Sequence, residues 1–207
     1  MRTVTYGAAC SLDGFIAGAD GSLDWLHFSR DVEGVMAAYW ATIDTVLMGR
    51  KTWGGALEAG EKQAKPRKQR KQEKERKEGN RGKQANPFGG MRTYVFSRTL
   101  TEIPHPGVEL VREDAGAFVR ELKRHPGKGI CVMGGGQLAA ALFEGDVIDE
   151  VGLNVHPVLL GTGIPLFLPM QRQIDLELTE NQPLGNGCVL LRYRVKHRGG
   201  LNSPGHG

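Results

Sequence analysis

Two glycine-rich turns carry the densest chemistry in the chain. They are Val46-Leu47-Met48-Gly49-Arg50-Lys51-Thr52-Trp53 and Ile130-Cys131-Val132-Met133-Gly134-Gly135-Gly136-Gln137. Each runs from an apolar stretch into glycine and reads as a strand leading into a helix. In an open parallel sheet, ligands bind at the carboxyl ends of the strands. Glycine there lets a phosphate approach the backbone, and a following helix N-terminus adds free N–H groups and about half a positive charge. Arg50, Lys51 and Thr52 contribute two cations and a hydroxyl. A third strand end, Phe96-Ser97-Arg98-Thr99, supplies another hydroxyl and another cation. Three such strand ends suit a ligand with several phosphates, such as a dinucleotide. Taken singly, each could be an ordinary tight turn. Neither glycine turn is the spaced G-x-G-x-x-G fingerprint, and no G-x-x-x-x-G-K-[ST] loop occurs.

Metal chemistry is not expected. Cys10, Cys131 and Cys188 form no close pair, and the six His show no HExxH-type spacing. All three thiols sit in apolar surroundings and read as buried free cysteines.

The elements that must position these turns follow from periodicity. Residues 3–10 read as a buried strand, and 13–14 with 17–22 as loop. Residues 31–44 read as a helix with Val32, Met36, Tyr39, Trp40 and Ile43 on one apolar face. A short strand is expected over 45–48. From 53 to 90 the pattern breaks. Strands are expected over 93–97, Val108–Val111 and Gly129–Met133. A helix over 114–124 has Asp114 as N-cap, with Phe118, Val119 and Leu122 inward. Another helix covers 137–143, and a long strand lies within 147–160. Segments 175–179 and 188–196 read as a closing hairpin. Strands alternating with helices predict an α/β fold: a mostly parallel sheet, helices on both faces, and an antiparallel C-terminal hairpin.

The chain has 207 residues with 40% hydrophobic and 24% charged, a composition that suits one globular domain. No apolar stretch reaches the about 18 residues of a membrane span. The first ten residues lack the apolar core of a signal peptide, so a cytoplasmic protein is expected. The net charge is +4, and it is unevenly spread. Residues 61–86 hold eleven Lys/Arg and four Glu, a net of +7, so the remainder is mildly acidic at −3. The run 65–77 has no apolar residue and reads as a solvated insert, disordered or helical. A cationic lid for an anionic substrate is an alternative. Nucleic acid is expected only through this insert, which has no aromatic residue for base stacking. The expected organisation is one domain over 1–197, interrupted by the insert at about 58–90, with a flexible tail over 198–207.

Met48-Gly49-Arg50-Lys51-Thr52-Trp53 and Val132-Met133-Gly134-Gly135-Gly136 resemble the two cofactor-binding turns of the dihydrofolate reductase-like family. Ala8-Ala9, the loop Ser11-Leu12-Asp13-Gly14-Phe15-Ile16-Ala17 and Trp25 follow the family order. With His156-Pro157-Val158-Leu159-Leu160-Gly161-Thr162-Gly163-Ile164-Pro165-Leu166-Phe167, the likeness is closest to the reductase domain of riboflavin biosynthesis and its stand-alone relatives. The resemblance implies an NADPH-dependent reductase acting on a ribosylamino-pyrimidine or related heterocycle. Dihydrofolate reduction is one alternative, and a nucleotide-binding module without turnover is another. It implies Ala9 and Ile16 beside the nicotinamide. Gly49, Arg50, Lys51 and Thr52 would face the pyrophosphate and 2′-phosphate, with Ser97 and Arg98 alongside. Gly134, Gly135, Gly136 and Gln137 would hold the pyrophosphate. Trp25 and Asn154 would meet the substrate, although Trp25 could equally be a core residue. Folate reductases place a carboxylate on the helix before the Gly-Arg turn. An ungapped count puts Glu33 there, with Asp31 as rival. Glu33 shares a helix face with Met36, Ala37 and Trp40, which predicts an inward direction. A homodimer is a further expected partner. The Arg that holds the folate tail has no counterpart here, and no H-x-E with P-C-x-x-C deaminase motif occurs.

Overall fold

Val4 and Tyr6 lose all contact with solvent, which places their strand, β1 (Val4–Ser11), inside a sheet. It pairs in parallel on both sides, with Gly129–Met133 and with Glu150–His156. The structure is a computed structural model that describes residues 1–27, 29–64 and 88–197, without the side chains of 59–64. The basic run from 65 and the tail from 198 lie outside the described residues.

The remaining elements are β2 (Phe15–Ala17), α1 (Arg30–Ala41), β3 (Ile43–Gly49), α2 (Arg50–Ala64), β4 (Arg92–Phe96), β5 (Val108–Val111), α3 (Ala115–Leu122), β6 (Gly129–Met133), α4 (Gly136–Glu144), β7 (Glu150–His156), β8 (Ile164–Pro165), β9 (Leu176–Pro183) and β10 (Val189–Val195). The main sheet has eight strands in the order β5-β4-β3-β6-β1-β7-β10-β9. Its strands run parallel from β5 to β7, and β10 and β9 add an antiparallel edge. The expected α/β class, with helices on both faces and a closing hairpin, is the fold observed.

Alternate residues divide the core. Val46, Met48, Val95 and Cys131 face α1 and α2 and pack with Tyr39, Trp40, Trp53 and Leu57. Leu47, Tyr94, Ile130, Val132, Val4 and Tyr6 face α3 and α4 and pack with Val119, Leu122, Leu138 and Leu142. Asp114 caps α3 by accepting from the Ala117 N–H at 2.8 Å, as its position before the apolar stripe predicts.

Four expectations need correction. The pattern break expected from 53 is instead α2, which continues to Ala64. Trp53 and Leu57 lie one turn apart and bury against β3 and β4, which outweighs the cost of about 1 kcal/mol for each of Gly54 and Gly55 in a helix. The helix expected to reach 44 ends at Ala41, and β-branched Ile43 opens β3. The buried stripe of α1 is also rotated. Val32 is buried and Val35 and Tyr39 are half-buried, whereas Met36 is 39% exposed and Glu33 and Ala37 face solvent. The loop expected around 17 contains a two-stranded ribbon, β2 against β8.

Candidate functional site

The site begins where two neighbouring strands send their helices to opposite faces. β3 and β6 are paired through Met48 and Met133. Beyond Gly49, α2 packs on the α1 side of the sheet, and beyond Gly134, α4 packs on the other. This divergence marks a switch point at the carboxyl ends of the strands, the place where α/β sheets take ligands. Both glycine turns predicted from sequence meet there.

Gly134 and Gly135 have φ of 55° and 66°, a left-handed conformation that costs an L side chain about 1–2 kcal/mol. Gly134 is also crowded. A Cβ on Gly134 would lie 3.1 Å from Thr52 Oγ1, and one on Gly135 would lie 3.4 Å from it. Thr52 therefore reaches across from α2 to the α4 turn. The N-cap of α4 is Gly135 and makes no side-chain capping bond, so the first amides of the helix keep their donors. Neither α2 nor α4 has an acid in its first turn. Arg50, Lys51, Arg98 and Gln137 follow the carboxyl ends of β3, β4 and β6 and are exposed. Ser97 is partly committed. Its Oγ accepts from the Thr99 and Leu100 N–H groups at 3.2 and 3.1 Å, a local turn that holds Arg98 in place.

A second group of residues lies along β1 and β7. Ala9 and Asn154 are direct register partners, and both are half-buried. Ile16, on β2, is half-buried against the core. Trp25 stands outside the core clusters, with its ring edge-on to His156 at 5.3 Å between centroids. Trp25 Nε1 and Asn154 Oδ1 are buried atoms without a hydrogen-bond partner. Unsatisfied buried polar atoms are uncommon in folded proteins, and here two flank one ring.

That ring, His156, belongs to a cluster that sequence reasoning missed. His156 is 2% exposed. Its Nδ1 accepts from the His27 N–H at 3.1 Å and lies 3.3 Å from Cys188 Sγ. Its Nε2 lies 3.2 Å from Asn154 Nδ2. Asn186 completes the surround, donating to the His27 carbonyl at 2.9 Å and accepting from the Cys188 N–H at 3.2 Å. Burial, and then the neighbouring His27, push the His156 pKa down, favouring a neutral ring. Burial pushes the Cys188 thiol up. The contacts span 129 and 32 residues of chain, so no local spacing announces them. The one signal was His156 itself within the His-Pro motif.

The two carboxylates are not alike. Asp31 Oδ2 accepts from the Gly185 N–H at 3.0 Å, tying α1 to the β9–β10 turn. Ser29, rather than either acid, is the helix N-cap. Glu33 is exposed, which corrects the inward direction expected from Met36, Ala37 and Trp40. Neither acid is hydrogen-bonded to Trp25, Asn154 or His156. Among the described residues no group of acids, His and Cys could hold a metal ion, and no helix is long and apolar enough to cross a membrane.

Comparison with known proteins points to one family. The model of the RibD C-terminal domain matches residues 2–190. The chain is 30% identical over 196 residues to the uncharacterized protein YyaP of Bacillus subtilis (strain 168), covering 93% of this chain and 95% of that one. It is 32% identical over 193 residues to YwjB of the same organism, covering 93% and 97%. Among solved structures it resembles a pyrimidine reductase-like protein from Corynebacterium diphtheriae, with TM-score 0.64 and 14% identity over 95% of this chain and 92% of that one. It also resembles a diaminohydroxyphosphoribosylaminopyrimidine deaminase/5-amino-6-(5-phosphoribosylamino)uracil reductase from Thermotoga maritima. There the TM-score is 0.62 and the identity 17%, over 93% of this chain and 56% of the other. These structural likenesses establish the fold.

Proposed function

Because the chain belongs to the RibD C-terminal domain family, we propose that it is an NADPH-dependent reductase of a ribosylamino-pyrimidine or closely related heterocycle. One observation carries the reading. Two glycine turns meet at the β3/β6 switch point, where Gly134 and Gly135 hold a left-handed backbone and Thr52 packs closely over Gly134.

The residues present fit a dinucleotide phosphate. The amides of Gly135, Gly136 and Gln137 would hold the pyrophosphate at the N-terminus of α4. Gly49 and Thr52 would close the other side. Arg50, Lys51 and Arg98 would meet the 2′-phosphate, with Ser97 fixing the turn that carries Arg98. Ala9 and Ile16 would border the nicotinamide. Bound there, NADPH supplies a hydride to an electrophilic carbon of the substrate. Trp25 and Asn154 would hold that substrate beside Ala9 and limit its contact with water. Of the two acids of α1, solvent-facing Glu33 is proposed to relay the accompanying proton from water, with Asp31, which accepts from the Gly185 N–H, as its rival.

The test is NADPH oxidation, followed at its near-ultraviolet band, against 5-amino-6-(5-phosphoribosylamino)uracil, dihydrofolate and simple aldehydes. Turnover with the pyrimidine is expected to exceed the others. Turnover with none, or with dihydrofolate alone, contradicts the assignment. Glu33→Gln is expected to lower kcat by about tenfold or more, within the range for a lost general acid. Asp31→Asn is expected to act mainly on thermal stability. The reverse outcome would exchange the two roles.

A further inference from the structure

The proton position on His156 is dictated by its neighbours. The His27 N–H can only donate, and it points at Nδ1 from 3.1 Å, so Nδ1 must offer its lone pair. The neutral ring then carries its hydrogen on Nε2. Facing Nε2 at 3.2 Å is the Asn154 amide nitrogen, which would set donor against donor. Amide oxygen and nitrogen are nearly isosteric, and their assignment follows the hydrogen-bond network. Turning the amide puts Oδ1 on Nε2–H and satisfies both groups. It also moves the NH₂ to the buried position that has no partner.

That exchange changes the character of the site. Trp25 Nε1–H is the second buried donor without a partner, and its ring lies against the same imidazole. The unsatisfied atoms flanking His156 are then both donors. Ala9, the register partner of Asn154, lies alongside.

Building on the reductase reading above, we infer that Asn154 Nδ2 and Trp25 Nε1 form a donor pair for a carbonyl oxygen of the substrate heterocycle, with His156 as the positioning residue that orients the Asn154 amide. The chain of cause runs from the His27 N–H to Nδ1, from Nε2–H to Asn154 Oδ1, and from Asn154 Nδ2 to the ligand. His156 touches no substrate. A pyrimidinedione, whose carbonyls are strong acceptors, fits this pair. A group offering only donors would leave both unsatisfied, at the cost that selects against such analogues in buried polar sites.

The experiment uses the full chain labelled with ¹⁵N. The ring shifts of His156 are expected to show a pyridine-like Nδ1 and a pyrrole-like Nε2 at neutral pH. An imidazolium, or the opposite tautomer, overturns the proposal. NADPH is added first, then 5,6-diaminouracil as a stable pyrimidinedione probe. The Asn154 carboxamide and Trp25 indole N–H signals are expected to move with the probe. No binding of the probe overturns the proposal, and so does movement with NADPH alone and none on adding the probe.

Two substitutions then separate positioning from general packing. His156→Leu is expected to weaken probe binding by about five- to tenfold, the worth of a lost neutral hydrogen bond, with NADPH affinity unchanged. His156→Gln keeps an N–H within reach of Asn154 and is expected to stay within about threefold of wild type. Asn154→Asp keeps the bond to Nε2–H but turns an acceptor toward the ligand, so it should bind the probe more weakly than Asn154→Ala. If Asn154→Asp binds as well as wild type, the outward atom is an acceptor and the proposal fails. The probe arms do not depend on turnover. A protein that binds the probe as described yet never oxidises NADPH would contradict the reductase reading and leave this donor pair standing.

Discussion

Asp13 shows how a single exposed side chain can set a loop. Its carboxylate accepts from Ser11 Oγ at 2.6 Å and from the Leu160 and Gly161 amides at 3.2 and 2.7 Å. It thereby ties the β1–β2 loop to the segment before β8. The Ser11 bond, followed by the two amides, holds its carboxyl below the usual carboxylate range. A carboxyl depressed in the fold contributes its full tie above its unfolded value of about 3.9 and loses it as the pH falls through the lower folded value. The Gly161 amide signal is therefore expected to titrate with a midpoint below that of an ordinary Asp. A midpoint at or above the ordinary value contradicts the tie. At this scale the sequence was informative for the two glycine turns that meet at the switch point, because Gly49, Thr52, Gly134 and Gly135 are close together in two short motifs. No local spacing signalled that His27, Cys188 and Asn186 gather at His156, a meeting made only by the fold. The inward direction assigned to Glu33 missed because Val35, and not Met36, continues the stripe begun by Val32.

Elements were legible in proportion to their apolar pattern. β5 and β6 coincide with the expected spans because their runs are apolar, β-branched and bounded by turns. α2 was hidden, since its burial rests on Trp53 and Leu57 while Gly54 and Gly55 argue against a helix. β9 was read only in part, because all of its residues are exposed and its strand character comes from pairing with β10. The α4 turn yields a prediction of its own. Gly134→Ala meets both a left-handed backbone and Thr52, so it is expected to cost about 1–2 kcal/mol of stability and most NADPH affinity. Gly21 also has positive φ, at 82°, but open space around its Cα. Gly21→Ala should show comparable strain in a melt while binding NADPH normally. Equal binding losses in both variants would locate the effect in general stability and not in the α4 turn.

The molecule as a whole is a mildly acidic reductase fold that carries a strongly basic segment. Residues 65–86, outside the described part, hold ten Lys/Arg and three Glu, so excising them takes the net charge from +4 to −3. The switch point is built from elements that do not include this run. The excised protein is therefore expected to keep NADPH affinity within about twofold at physiological salt, where long-range charge effects are weak. Binding titrations at two salt concentrations check this. A large loss at both would make the basic run part of the site. Arg50, Lys51 and Arg98 are proposed to surround a nucleotide 2′-phosphate beside the glycine turns. Calorimetric titration of the full chain with NADPH and with NADH tests this assignment. NADPH is expected to bind at least about tenfold more tightly, the worth of one charge-assisted contact, with most of that difference lost in Arg98→Ala. Equal affinity for the two nucleotides, or binding of neither, would rule out the 2′-phosphate assignment.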